Sequence, residues 1–180
     1  MTDTRVLVLV GSLRADSVHR KLAEVLRDQA PDGVVLHVVD DLGSLPFYNE
    51  DLDAAEIPAA AAALRSAVAS ADVLLAVTPE YNGTMPAALN NAIDWLSRPY
   101  GTGAITGKPF GVVGATPTPY GGKWAHEHAQ HSARIAGAVV VDGAVASQSA
   151  LEVDVLTDPE VLGRFHAVLR SLAAFQPAAA

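Results

Sequence analysis

Apolar residues in this chain fall in short continuous runs and do not alternate with polar ones. Runs rich in Val, Ile and Leu occupy Arg5–Val10, Val34–Asp40, Asp72–Thr78, Phe110–Ala115 and Ala138–Asp142. Continuity of that kind predicts strands covered by helices on both faces, because a half-solvated strand would carry a polar residue at every second position. Segments with helical spacing lie between the runs. Ser17 is placed to cap a helix through Ala30 that turns Val18, Leu22, Val25 and Leu26 to one side. An alanine-rich helix is predicted from Pro58 to Ser70. A third opens at Pro86 and directs Leu89, Ile93 and Leu96 inward, a fourth starts near Gly122, and the last follows Asp158-Pro159 and reaches Phe175. Five strands alternating with five helices predict an α/β fold, a doubly wound parallel sheet. Asp41–Ile57 reads as a long loop and Gln176–Ala180 as a frayed tail. With no internal repeat and no dividing linker, residues 1–180 are expected to form a single domain.

Composition narrows the chemistry. Half of the 180 residues are hydrophobic, 18% are charged and the net charge is −8. An acidic surface lacks the concentrated positive field that nucleic acid or an anionic membrane requires, so neither is expected as a partner. A phosphate site is still open to it, since backbone amides can build one locally. There are no cysteines, which removes disulfides, thiolate nucleophiles, iron–sulfur clusters and thiolate zinc sites. Redox chemistry here must therefore come from a bound cofactor. The run Val6–Val10 stops at Gly11-Ser12-Leu13-Arg14, too short for a signal-peptide core, and no stretch approaches the roughly 20 apolar residues of a membrane helix. The expected address is cytoplasmic.

In a doubly wound sheet, ligands bind beyond the carboxyl ends of the strands, where the strand order reverses. The first loop there is Gly11-Ser12-Leu13-Arg14-Ala15-Asp16-Ser17. Its glycine permits the turn, Ser12 and Ser17 carry hydroxyls, Arg14 adds charge, and the helix after Ser17 presents free N–H groups. These features outline a phosphate cradle, although an ordinary strand-to-helix turn with a serine cap reads the same way. Neither the Walker ending with its lysine nor the Gly-x-Gly-x-x-Gly dinucleotide fingerprint is present. The second loop, Thr78-Pro79-Glu80-Tyr81-Asn82-Gly83-Thr84-Met85, centres on an Asn-Gly pair that tolerates positive φ and places N–H groups beside another helix start. That arrangement suits a flat heterocycle with acceptor atoms along one edge.

Three motifs, in order, carry a resemblance. Gly-Ser-Leu-Arg-x-x-Ser-x-x-Arg-x-Leu spans Gly11–Leu22, then come Pro79-Glu80-Tyr81-Asn82-Gly83 and Asn91-Ala92-Ile93-Asp94-Trp95-x-Ser97-Arg98-Pro99. Together they resemble the NADPH-dependent FMN reductases, a family of quinone, chromate and azo-dye reductases. The resemblance implies a flavodoxin-like five-stranded fold in three α/β/α layers, FMN as cofactor, NADPH or NADH as hydride donor, and a small electrophilic acceptor such as a quinone. It also implies a homodimer or homotetramer. By the same analogy Ser12, Arg14 and Ser17 hold the FMN phosphate, and Pro79, Glu80, Tyr81, Asn82 and Gly83 lie along the isoalloxazine ring. Thr116 borders the cofactor from the third loop. The chemistry runs on the flavin, so no side-chain acid or base is demanded; Tyr81 is the nearest candidate for a stacking or donor role. Ala115-Thr116-Pro117-Thr118-Pro119-Tyr120 departs from the serine and glycines usual in the family at this place. Two other readings stay open: a flavodoxin-type electron carrier and a non-catalytic FMN-binding module.

Other signals carry less. His126, His128 and His131 invite a metal reading, but on a helix the first two point about 200° apart, so three ligands do not converge. Gly101–Gly107 is glycine-rich yet precedes a strand, the wrong geometry for phosphate binding at a helix start. Trp95, among Leu89, Ile93 and Leu96, is expected to anchor the core or an interface.

Overall fold

A computed structural model describes residues 3–39 and 41–176. Five strands and six α-helices follow one another as β1 (Thr4–Val10), α1 (Val18–Asp28), β2 (Val34–Val38), α2 (Glu50–Ala54), α3 (Ala59–Ser70), β3 (Val73–Val77), α4 (Ala87–Leu96), β4 (Pro109–Thr116), α5 (Lys123–Ile135), β5 (Val139–Ser149) and α6 (Pro159–Ala174). The sheet is parallel throughout, in the order β2-β1-β3-β4-β5. This is the flavodoxin-like order, with the reversal between β1 and β3.

Each continuous apolar strand serves two cores because successive side chains point to opposite faces. Val6, Val8 and Val10 join Leu22 and Leu26 of α1 and Phe165 and Leu169 of α6. Leu7 and Leu9 join Leu64 of α3, Leu89, Ile93 and Trp95 of α4, and Ala129 of α5. The three layers are thus α1 and α6, the sheet, then α3, α4 and α5. Trp95 belongs to the second core and is fully buried, as its neighbours in sequence led us to expect.

Several expected boundaries move. α1 stops at Asp28 and its Val18 is exposed; β2 ends at Val38, and Pro58 and Pro86 stand just outside their helices as caps. Asp40, at the expected end of β2, and residues 177–180 of the expected tail lie outside the described residues. The segment expected as a loop at 41–57 contains a 3-10 turn, Leu42–Ser44, and helix α2. Long-range bonds hold it: Pro46 O accepts from Trp95 Nε1 at 2.8 Å and Asn91 Nδ2 at 3.0 Å, and Arg65 grips Asp53 with two bonds of 2.7 and 2.9 Å. The largest correction concerns β5, which continues to Ser149. Pairing with β4 jumps from Phe110–Val140 to Val112–Val145, with Gly143 at φ 77° in the irregular stretch. This extra length carries the chain back to the carboxyl end of the sheet.

Candidate functional site

The loops leaving β1, β3 and β4 open onto one crevice at the strand-order reversal. Ser12, Arg14 and Ser17 from the first, Pro79, Glu80 and Tyr81 from the second, and Thr116 from the third line a single cavity of about 530 Å³. Asn82 and Gly83 are not among its lining residues. They form the tip of a tight turn, with φ 53° and 72°, in which Tyr81 and Thr84 exchange backbone bonds of 2.9 and 3.1 Å. Two successive positive φ values are the mirror-image turn that Asn-Gly adopts at least cost.

In the first loop, Ser17 caps α1. Its Oγ accepts from the N–H groups of His19 (3.2 Å) and Arg20 (3.4 Å). A hydroxyl that accepts twice leaves its own hydrogen to donate elsewhere. The N–H groups of Leu13, Ala15, Asp16 and Val18 have no protein acceptor among the described residues, and the Arg14 guanidinium, in the field of Asp16, makes no hydrogen bond or close ion pair among them. Unmet donors, a helix N-terminus and the Arg14 guanidinium all favour an anion beside this loop. Pro79, Tyr81, Ala115, Pro117 and Ala150 supply the apolar part of the same lining. A phosphate on a flat heterocycle fits that lining.

Glu80 is already engaged. Its Oε2 accepts from the Ala125 N–H at 3.1 Å, so the carboxylate caps the first turn of α5 and is stabilised by that helix's dipole. The sharp entry into α5 depends on Gly121, where a Cβ would lie 2.7 Å from backbone atoms of Gln148. Further along, His128 Nδ1 meets Thr84 Oγ1 at 2.9 Å, tying α5 to the Asn-Gly turn.

Sequence reasoning missed Val18, His19, Ala115, Pro117, Thr118 and Ala150 as cavity residues. His19 resembles any polar residue in a helix's first turn; the available signal was its place two residues after the cap of a phosphate loop. Ala150 reaches the cavity through the added length of β5 beyond Asp142, which no sequence pattern signals. His19 Nε2 is pinned to the backbone of Ala115, 3.0 Å from its oxygen and 3.3 Å from its nitrogen. His126 lies on the far side of β4, with Nδ1 2.7 Å from Ser147 Oγ and its ring turned to the backbone of Thr78. Burial pushes both imidazoles down to about 4, so both are neutral at pH 7. His126 faces Ser147 while His128 and His131 line the groove between α4 and α5, so the three helix histidines do not converge.

Comparison with known proteins follows this geometry. A family model described as NADPH-dependent FMN reductase matches residues 4–152. A quinone reductase of Pseudomonas putida is 44% identical over 127 residues, covering 71% of this chain and 68% of the relative. A 2-hydroxy-1,4-benzoquinone reductase of a Burkholderia species is 43% identical over 124 residues, 69% and 67% of the two chains. Among solved structures, the flavoenzyme NAD(P)H:(acceptor) oxidoreductase FerB of Paracoccus denitrificans superposes with a TM-score of 0.82 at 33% identity, covering 94% of this chain and 95% of the other.

Proposed function

The chain belongs to the NADPH-dependent FMN reductase family, and from that premise we propose that it binds FMN in the crevice, oxidises NADPH or NADH and reduces a quinone or similar electrophilic acceptor. The observation that carries the residue-level reading is the first loop, which brings unmet N–H donors, the Arg14 guanidinium and the doubly accepting Ser17 hydroxyl to the cavity. Ser12, Arg14, Ser17 and the loop amides hold the phosphate. Pro79 to Gly83 follow the ring, with Asn82 and Gly83 supplying backbone donors beside it, and Thr116 closes the opposite side. Bound there, FMN supplies the two-electron chemistry that links a nicotinamide to an acceptor. The protein's part is to fix the ring and to place N–H donors where negative charge develops. Tyr81, at the cavity edge and 46% exposed, offers a ring for stacking against whichever partner occupies the open face.

The same reading covers the chain's setting. We propose one FMN-binding domain over residues 1–180, working in the cytoplasm, where the nicotinamide pool it consumes is found. No helix among the described residues is long and apolar enough to cross a membrane. A homodimer or homotetramer is supported by the groove of about 600 Å³ between α4 and α5, bordered by exposed Tyr100 and Ile135. Light scattering at micromolar concentration that gives a monomer mass would end that part.

Two measurements check the core of the proposal. Flavin absorbance near ~450 nm should appear on adding FMN and bleach with anaerobic NADPH; bound flavin that stays oxidised would instead favour the electron carrier or the non-catalytic module. Replacing Arg14 with Ala should weaken FMN binding by about 1–3 kcal/mol, the range for a charge-assisted contact. Ser17→Ala should lose a similar amount, together with about 1 kcal/mol of fold stability from the lost cap. Unchanged FMN affinity in both variants would remove the phosphate assignment.

A further inference from the structure

Large aromatic side chains are normally kept out of water, yet two stand exposed together beside the cavity. Tyr120 and Trp124 are 58% and 40% accessible, and their ring centroids lie 4.7 Å apart at 48°. The pair is joined to the cavity on both sides. Upstream, Pro117 and Thr118 line the cavity wall, and the Gly121 N–H returns to Thr118 O at 3.3 Å. Downstream, Ala125, next after Trp124, donates its N–H to the cavity residue Glu80. One turn further on, His128 reaches Thr84, the closing residue of the turn that begins at Tyr81. The first turn of α5, which carries Trp124, is thereby fastened to the second loop.

Rigidity matters to what such a surface can do. Pro117 and Pro119 fix two φ angles, Gly121 is wedged against the Gln148 backbone, and Lys123 N–H bonds back to Tyr120 O at 3.2 Å. A preordered pair of rings loses little conformational freedom when a planar ligand lies on it. The loop that builds it is also where this chain departs from the pattern its motifs otherwise follow.

We propose that Tyr120 and Trp124 form an aromatic shelf that selects polycyclic aromatic acceptors over non-aromatic ones. This rests on the reductase reading above and adds the ligand class that the open side of the site prefers. Stacking on the shelf raises affinity for a fused-ring quinone and contributes nothing to ferricyanide, which has no aromatic face.

The two tryptophans make the test specific, since Trp95 is fully buried and Trp124 exposed. Titrating the oxidised FMN-loaded protein with anthraquinone-2-sulfonate should quench the exposed tryptophan saturably, and equilibrium dialysis should give the same midpoint. Trp124→Ala should raise the dialysis Kd about tenfold and Tyr120→Ala about fivefold, the size of lost ring stacking. Trp124→Phe should recover most of that affinity. The ratio of kcat/KM for anthraquinone-2-sulfonate to kcat/KM for ferricyanide should fall in step with affinity. An anthraquinone Kd that ignores both substitutions, or a parallel loss for both acceptors, would overturn the shelf. Failure of the wild-type protein to oxidise NADPH with either acceptor would instead overturn the reductase reading beneath it.

Discussion

Gly114→Ala should cost about 3 kcal/mol or more and sharply weaken FMN binding, although it adds a single methyl group. Gly114 sits near the carboxyl end of β4, opposite the point where β3 gives way to the Pro79 loop. A Cβ there would lie 2.1 Å from Thr78 O, 3.1 Å from Thr78 C and 2.8 Å from His126 Nε2. The first two are backbone atoms, which cannot swing aside as a side chain can. Thr78 is also tethered, its N–H bonded to Val113 O at 3.0 Å. Relief must come from separating β3 and β4 at their ends, which moves the second loop of the site. Overpacking costs roughly 1–3 kcal/mol where side chains can yield, and a backbone clash belongs at or above the top of that range. Against a total stability of about 5–15 kcal/mol the loss is large. Urea denaturation and an FMN titration on the same protein would measure both effects. Gly163 is the control: it lies inside α6 with nothing within 4 Å of a built Cβ, so Gly163→Ala should gain about 0.5–1 kcal/mol through helix propensity. A Gly114→Ala protein as stable and as tight for FMN as the wild type would refute the close packing of β3 on β4 described here.

Sequence patterns revealed the parts of this fold that depend on local chemistry. Continuous apolar strands, the Ser17 and Asp158 caps and the Asn82-Gly83 turn each act over a few residues, and topology then fixed which loops meet. For that reason seven of the nine expected site residues share one cavity. What escaped depends on partners far away in the chain. Segment 41–57 is ordered by Trp95, Asn91 and Arg65, whose bonds to it follow no spacing rule. Glu80 reads as a cofactor contact, but its carboxylate caps a helix that begins 43 residues later. The Asp142-Gly143 pair looks like the end of a strand, whereas Gly143 only kinks β5 and lets it run on to the site. Edge position adds to the difficulty: β5 scatters a few buried residues among exposed ones in place of the solid apolar run of a central strand.

The two buried histidines should make the protein lose stability between about pH 6.5 and pH 4, above the range in which its ion-paired carboxylates act. His19 and His126 flank β4, one held to Ala115 and the other to Ser147, and burial depresses both to about 4 in the folded state. In the unfolded chain each takes up a proton near 6.5. Above that value neither state is protonated and the histidines have no effect on the balance. Between 6.5 and 4 the unfolded state binds protons that the folded state refuses, so stability falls with falling pH. Each group can account for roughly 3 kcal/mol over that interval, at about 1.4 kcal/mol per pH unit. Paired carboxylates act lower. Asp53, beside Arg65, and Asp72, beside Arg5, lie below their ordinary value of 3.8, so their stabilisation is present above it and is lost only in stronger acid. Asp94, raised by burial, has the opposite sign, since acid relieves its charge. Urea midpoints taken every half pH unit on wild type and His126→Gln separate these contributions. Glutamine retains a polar group facing Ser147 but cannot titrate, so the fall between 6.5 and 4 should lose the share of His126, while His19 and the partly buried His166, also lowered by burial, keep theirs and the loss below 4 persists. A His126→Gln profile parallel to the wild type through that window would mean that His126 is protonated in the folded protein, and that its ring is not sealed from water.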